Sequence, residues 1–250
     1  IKWKFGERNG EVVAGGNGPG NRIDQLNLPY DVILDKNKKS LIICDNGNRR
    51  VVRWSLENQN DRQILIEDIS CFGLMMNNKG DLFVSDWRRN EVKRWKKDEK
   101  LGTIVAGGNG EGDKLNQLNN PGFIFVDRED SIYVSDRENH RVMKWLKGAK
   151  EGIIVAGGQG EGNSWKQLSY PKGLVVNENG DVYVADCCNH RVMCWPSDSK
   201  EGRVVVGGNG EGEGSNQLHY PIGLVFDHAN NLYVVDRYNN RTQRFDIDTN

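Results

Sequence analysis

At 250 residues and 28.3 kDa the chain is long enough to hide roughly 70 to 75% of the area its unfolded form exposes, so a substantial core is within reach. Mean hydropathy of -0.69, 36% apolar and 28% charged residues, with no apolar run near 18 residues, exclude a membrane-spanning helix. Thirty-four basic and 35 acidic residues leave a formal charge of -1 and a pI near 6.5, which is not the electrostatic footprint of a dedicated nucleic-acid binder.

The first segment, Ile1-Lys2-Trp3, is strand-like, and no basic-then-apolar leader is legible around it. Residues 11–15 form a second strand-like run, which opens into a Gly-rich stretch, Gly15 to Gly20. From there the chain repeats itself. Aspartates close similar apolar runs at Asp45, Asp86, Asp136, Asp186 and Asp236, at spacings of 41, 50, 50 and 50 residues. An aromatic follows each by nine positions: Trp54, Trp95, Trp145, Trp195 and Phe245.

Each repeat holds four short runs, too short and too rich in Val and Ile for helices. In the fourth they span residues 173–176, 182–185, 191–195 and 203–206, here strands A to D. Asn179-Gly180-Asp181 is the A–B turn, with residues that accept positive φ. Gly-rich stretches such as Gly107-Gly108-Asn109-Gly110-Glu111-Gly112 lead from D to the next A. Four strands per repeat of 40 to 50 residues is the blade arithmetic of a β-propeller, the architecture of WD40 proteins.

The runs Asp136-Arg137-Glu138-Asn139-His140-Arg141 and Asp186-Cys187-Cys188-Asn189-His190-Arg191 resemble the NHL repeat. The likeness has a counterpart in every repeat, with Arg49 and Asn240 at the His position of the first and fifth, and the largest departure in the second, Asp86-Trp87-Arg88-Arg89-Asn90-Glu91. The expected fold is therefore all-β, a single NHL-type β-propeller domain over residues 1–250 with four-stranded antiparallel blades. The residues present supply five blades, closed by pairing residues 11–15, as a final D strand, with residues 242–245. The alternative is a partial six-bladed propeller, an open arc with an unpaired edge; the resemblance implies six blades, and the extra strand at Ile1-Lys2-Trp3 speaks for it.

In a meander of this kind the D–A and B–C loops share one rim, which is the expected recognition face. The repeated Asp, Asn, His and Arg read as a structural B–C turn, because an active site needs one arrangement and not five. His140, His190, His219 and His228 are not expected to form a metal site, and no cofactor is expected. The Gly loops lack the Lys-Ser/Thr of a phosphate cradle; their Gly residues supply positive φ, and Gln117, Gln167 and Gln217 satisfy their backbone. The registered Trp residues read as packing between blades. Trp87 stands apart, in a loop where other repeats place Asn46, Arg137, Cys187 or Arg237. With Arg88, Arg89, Tyr170, Tyr220, Arg237 and Tyr238 it makes the candidate binding set.

Three functions compete. The first is a non-catalytic, monomeric recognition module for a protein partner. The second, implied by resemblance, is a metal-dependent lyase or hydrolase with a site on the central channel, although the neighbours of Ile33, Met75, Ile124, Val175 and Val225 offer no such group. The third, also implied by resemblance, is single-stranded RNA binding through Arg49, Arg50, Arg88, Arg89, Arg137 and Arg237, opposed by the acidic Gly loops on the same rim. Five Cys spell neither a full disulfide framework nor a zinc pattern, but Cys44 and Cys71 fall on one rim and would form a disulfide if their Cα atoms lie within about 7 Å.

Overall fold

Runs of five or six Val-, Ile- and Leu-rich residues, cut by Asn, Asp and Gly turns, fold as nineteen strands in a computed structural model that describes residues 1–3, 6–58 and 60–247. Blade 1 comprises β1 (Pro29–Leu34), β2 (Ser40–Asp45), β3 (Arg50–Ser55) and β4 (Arg62–Glu67). Blade 2 comprises β5 (Cys71–Met76), β6 (Leu82–Asp86), β7 (Glu91–Trp95) and β8 (Thr103–Gly107). Blade 3 is built from β9 (Pro121–Val126), β10 (Ile132–Asp136), β11 (Arg141–Trp145) and β12 (Ile153–Gly157). Blade 4 follows with β13 (Pro171–Val176), β14 (Val182–Asp186), β15 (Arg191–Trp195) and β16 (Arg203–Gly207). Blade 5 has β17 (Pro221–Phe226), β18 (Asn231–Asp236) and β19 (Arg241–Asp246). Every neighbouring pair is antiparallel, and the inner strands β1, β5, β9, β13 and β17 pack side by side in chain order, so the chain is an all-β propeller of five blades.

The registered aromatics sit where the period puts them. Trp54, Trp95, Trp145 and Trp195 are all buried, and Trp95, Trp145 and Trp195 each join the apolar layer between two consecutive blades. The disulfide is present: Cys44 on β2 and Cys71 at the head of β5 are bridged, with Cα atoms 5.7 Å apart.

The expected ring closure is corrected. β19 bonds only to β18 among the described residues, and no ladder joins it to residues 11–15. That segment instead makes an isolated bridge, Lys2 to Glu11, and lays Ala14 and Leu26 on Ile43, Val52 and Trp54 of blade 1. In blade 3 Ala106 and Leu118 pack the same way, but Ala106 lies on β8, which also pairs with β7 of the blade before it. Residues 11–26 keep the packing on the next blade and lack that ladder to a preceding strand. Among the described residues β19 therefore has an unpaired edge. Val32 and Leu34 on blade 1 and Val225 and Val235 on blade 5 are exposed, and the accessible surface of 13608 Å² exceeds the roughly 11,200 Å² expected for this mass.

Candidate functional site

The repeated motif is a clamp on the Gly-rich loop. The fully buried Asp186 accepts from Ser169 N–H at 2.6 Å, Asn189 Nδ2 at 2.8 Å and Arg191 Nε at 2.7 Å. Arg191 then donates to the carbonyls of Asn163, Ser164 and Gln167, and Asn189 to that of Gly162. The sets around Asp136 and Asp236 are the same, and Asp45 with Asn48 and Arg50 follows suit. The structural reading of the motif holds, with one change. The carboxylate ties the loop before its own blade and does not merely close the B–C turn, which is a single 3-10 turn ending in a left-handed residue such as His140, φ 50°. Gln117, Gln167 and Gln217 donate to loop carbonyls as expected.

The His position reaches to the next blade. His140 Nδ1 accepts from Tyr170 N–H and His190 Nδ1 from Tyr220 N–H, each at 3.3 Å, and in the divergent second repeat Asn90 Oδ1 accepts from Asn120 N–H at 2.8 Å. A ring that accepts at Nδ1 must be neutral, and burial holds His190 below its ordinary pKa. Tyr170 stands edge-on to His140, while His190, His219, Tyr220 and Tyr238 form one aromatic cluster with ring centroids 4.9 to 5.6 Å apart. Glu211 Oε2 lies 3.7 Å from His190 Nε2 and 3.4 Å from His219 Nε2. Among the described residues no group of three or more His, Cys, Asp or Glu side chains is arranged to hold a metal.

Beside this cluster, around the axis, lies a cavity of about 450 Å³. Two positions in each repeat build it. One is the second residue of the inner strand: Tyr30, Phe72, Gly122, Lys172 and Ile222. The other follows the motif Asp: Asn46, Trp87, Arg137, Cys187 and Arg237. Seven of these, with Phe123, line the mouth. Every inner strand shifts register at its head, a bulge that turns these side chains out of the ladder. Gly122 leaves room for its neighbour, since a Cβ there would lie 2.8 Å from Arg137 Cδ and the arginine side chain would have to shift. The scaffold around these positions repeats, whereas the positions themselves vary, with only Arg137 and Arg237 alike.

Of the sequence candidates, Trp87 and Arg237 line the cavity, and Arg88 lies over the Trp87 ring. Tyr220 and Tyr238 belong to the adjoining cluster and Tyr170 to the His140 pair. Arg89 is not brought to the mouth; it is ion-paired with Asp68 and Asp86. Tyr30, Phe72, Phe123, Lys172 and Ile222 were missed; for Tyr30, Lys172 and Ile222 the signal was a residue that varies after the repeated Pro, and Phe72 holds the same place after Cys71.

Asp31 on β1 accepts from its neighbour Val32 N–H and from Leu74 N–H of blade 2, both at 2.8 Å, and burial pushes its pKa up to about 7. The folded state therefore keeps a proton that the unfolded chain gives up near pH 4, and stability falls as pH rises from about 4 to 7. Three pH units correspond to roughly 4 kcal/mol, of which water at this half-buried residue screens about half. Asp31→Asn has no proton to lose, but its amide can accept only one of the two N–H bonds, so it is expected to be less stable than the parent near pH 4 and to lose roughly 2 kcal/mol less than the parent between pH 4 and pH 8. Urea unfolding of both proteins at the two pH values checks this; an equal loss in both would contradict it.

Comparison with known proteins agrees with this geometry. The NHL repeat model matches residues 118–145 and 168–195, so the chain carries NHL repeats in the stretches that supply blades 3 and 4. Similar solved structures include an auxiliary nutrient binding protein from Bacteroides thetaiotaomicron (18% identity, 88% of this chain, 59% of that one, TM-score 0.70). A gluconolactonase from Xanthomonas campestris (15%, 91% and 78%, TM-score 0.67) and a chain of the nidogen/laminin complex (20%, 88% and 76%, TM-score 0.68) are also similar. At these identities the likeness concerns the fold alone, and the chain spans 59% of the nutrient binding protein's length. No curated protein matches the sequence.

Proposed function

We propose that this chain is a non-catalytic recognition module that takes a protein partner on the rim formed by its D–A and B–C loops. The observation that carries the proposal is the contrast at the axial mouth. Loops clamped by a repeated Asp-Asn-Arg network surround two positions per blade that vary, Arg137 and Arg237 alone being alike, and with Phe123 these gather Tyr30, Phe72 and Trp87 beside the Tyr220–Tyr238 cluster. Rigid aromatics of this kind are the usual anchors of protein interfaces. Trp87 and Tyr238 remain the proposed hot spots, with Arg88, Tyr170, Tyr220 and Arg237 around them.

The RNA reading loses charge in the fold. Arg50 is buried on Asp45, and Arg49 and Arg89 share Asp68, leaving Arg88, Arg137 and Arg237 from its basic set. The test is partner retention. A protein retained by the parent chain should be lost by Trp87→Ala and by Tyr220→Ala/Tyr238→Ala, yet kept by Arg128→Ala, which alters an exposed pair at the opposite, A–B end. Equal retention by all of them would end the proposal.

A further inference from the structure

Three cations meet at the mouth without a counter-ion. Arg137, Lys172 and Arg237 come from blades 3, 4 and 5 and line the same cavity. Four other arginines on this rim, Arg89, Arg141, Arg191 and Arg241, are neutralised by Asp86, Asp136, Asp186 and Asp236, and Arg88 lies over the Trp87 ring. No ion pair joins Arg137, Lys172 or Arg237 among the described residues.

Their surroundings supply no ion-pair partner among the described residues, although the Glu138 charge favours the Arg137 guanidinium. Arg137 donates Nη1 to the Asn120 amide at 3.2 Å and lies 4.8 Å over the Phe72 ring, while its Nε has no acceptor. The indole N–H of Trp87, on the same cavity, also lacks one. Glu138, the nearby carboxylate, accepts from Asn120 Nδ2 at 3.2 Å. Burial pushes the Cys187 thiol up to about 12, so it is neutral at pH 7. Burial first, then the Arg137 and Arg237 charges, hold the Lys172 ammonium below its ordinary value; the guanidinium of Arg137 is likewise lowered by burial. Cations crowded this way, beside two donors without acceptors, are stabilised by an anion.

We infer that the cavity binds one carboxylate carried on an aromatic or branched apolar group, seated between Arg137, Lys172 and Arg237 with its apolar part against Phe72, Phe123 and Trp87. Guanidinium groups match a carboxylate's geometry, and the aromatic walls take the body that bears it. The chemistry fits a partner's chain terminus or acidic side chain and equally a free organic acid. A phosphodiester strand fits less well, because the charge is confined to one cavity and Glu111, Glu138, Glu161 and Glu211 lie on the surrounding loops. This inference rests on the recognition reading and deepens it, by naming what the mouth selects.

Calorimetry on the whole chain tests it with four probes: 3-phenylpropionate, its neutral amide, and a peptide ending in Leu-Phe with its terminus either free or amidated. The expected result is saturable binding of the carboxylates, about tenfold or more tighter than of the amides. Lys172→Met and Arg137→Gln should each weaken carboxylate binding about tenfold, and Lys172→Arg should retain it, which separates lost charge from lost fold. Tighter binding of the free-terminus peptide than of phenylpropionate assigns the site to a protein terminus; the reverse order assigns it to a small acid, and both support the inference. Equal binding of acid and amide, no carboxylate binding, or preference for an oligouridylate with a steep salt dependence would overturn it. If these fail while Trp87→Ala still abolishes partner retention, the anion site is wrong and the recognition face stands; if carboxylates bind but rim variants keep the partner, the recognition reading falls instead.

Discussion

Asp186→Ala is expected to destabilise the protein by about 3–5 kcal/mol, read as a lower urea midpoint at unchanged slope. The carboxylate is fully buried, accepts three hydrogen bonds and faces Arg191, whose side chain is 10% exposed. Burial raises the pKa of Asp186, so the pair adds little over a well-packed apolar pair, and the large effect comes from removing one partner and leaving the other buried and alone. The guanidinium would also lose the anchor from which it holds three carbonyls of the Gly-rich loop. Asp236→Ala should cost less, because its partner Arg241 is 31% exposed and water can solvate it. Equal losses at the two sites, or a loss below about 1 kcal/mol at Asp186, would show that the clamp does not hold the loops.

Opening the Cys44–Cys71 disulfide is expected to cost roughly 3.5 kcal/mol, the loop-entropy value for its separation of 27 residues. Its place explains its use. The second repeat is the one that follows at 41 residues instead of 50 and enters without a Gly-rich loop, and the covalent link joins β2 to β5 at the place where Ser85 and Ser135 of the following blades donate to carbonyls of the next inner strand. The check is the unfolding midpoint of the oxidised protein against Cys44→Ser/Cys71→Ser, with thiol labelling of the unfolded oxidised chain. Three free thiols and a lower midpoint for the variant are expected; five thiols, or equal midpoints, would contradict the account.

Much of the fold was legible because a propeller blade is a local meander. Strands B and C lie within ten residues of each other in sequence, and Asp186 with Trp195 marks both in every repeat. The closure was not legible, since residues 11–15 and β19 both read as strands in need of a partner. The packing of Ala14 and Leu26 on Ile43, Val52 and Trp54 suits either outcome, and only the missing ladder to β19 decides it. The motif's residue types were plain, but not its partners, which lie 24 to 28 residues upstream of Arg191 in another loop.

The site was half legible for a related reason. Trp87 stood out because it breaks the repeat in a loop, and Arg237 was placed on the same face by its position in that loop. Tyr30, Phe72 and Lys172 break it too, but at the head of a strand, where alternation alone assigns a side chain to one face of the sheet. The bulge at Cys71 and Pro171 that turns these residues to the mouth leaves no mark in residue type.

The central claim is that recognition occurs at the mouth, and the affinity of a retained partner for single-site variants tests it most directly. Trp87→Ala is predicted to weaken binding by about 2 kcal/mol or more, roughly thirtyfold, while Arg128→Ala at the opposite end leaves the affinity within about twofold of the parent. An unchanged affinity for Trp87→Ala together with a large loss for Arg128→Ala would contradict the account.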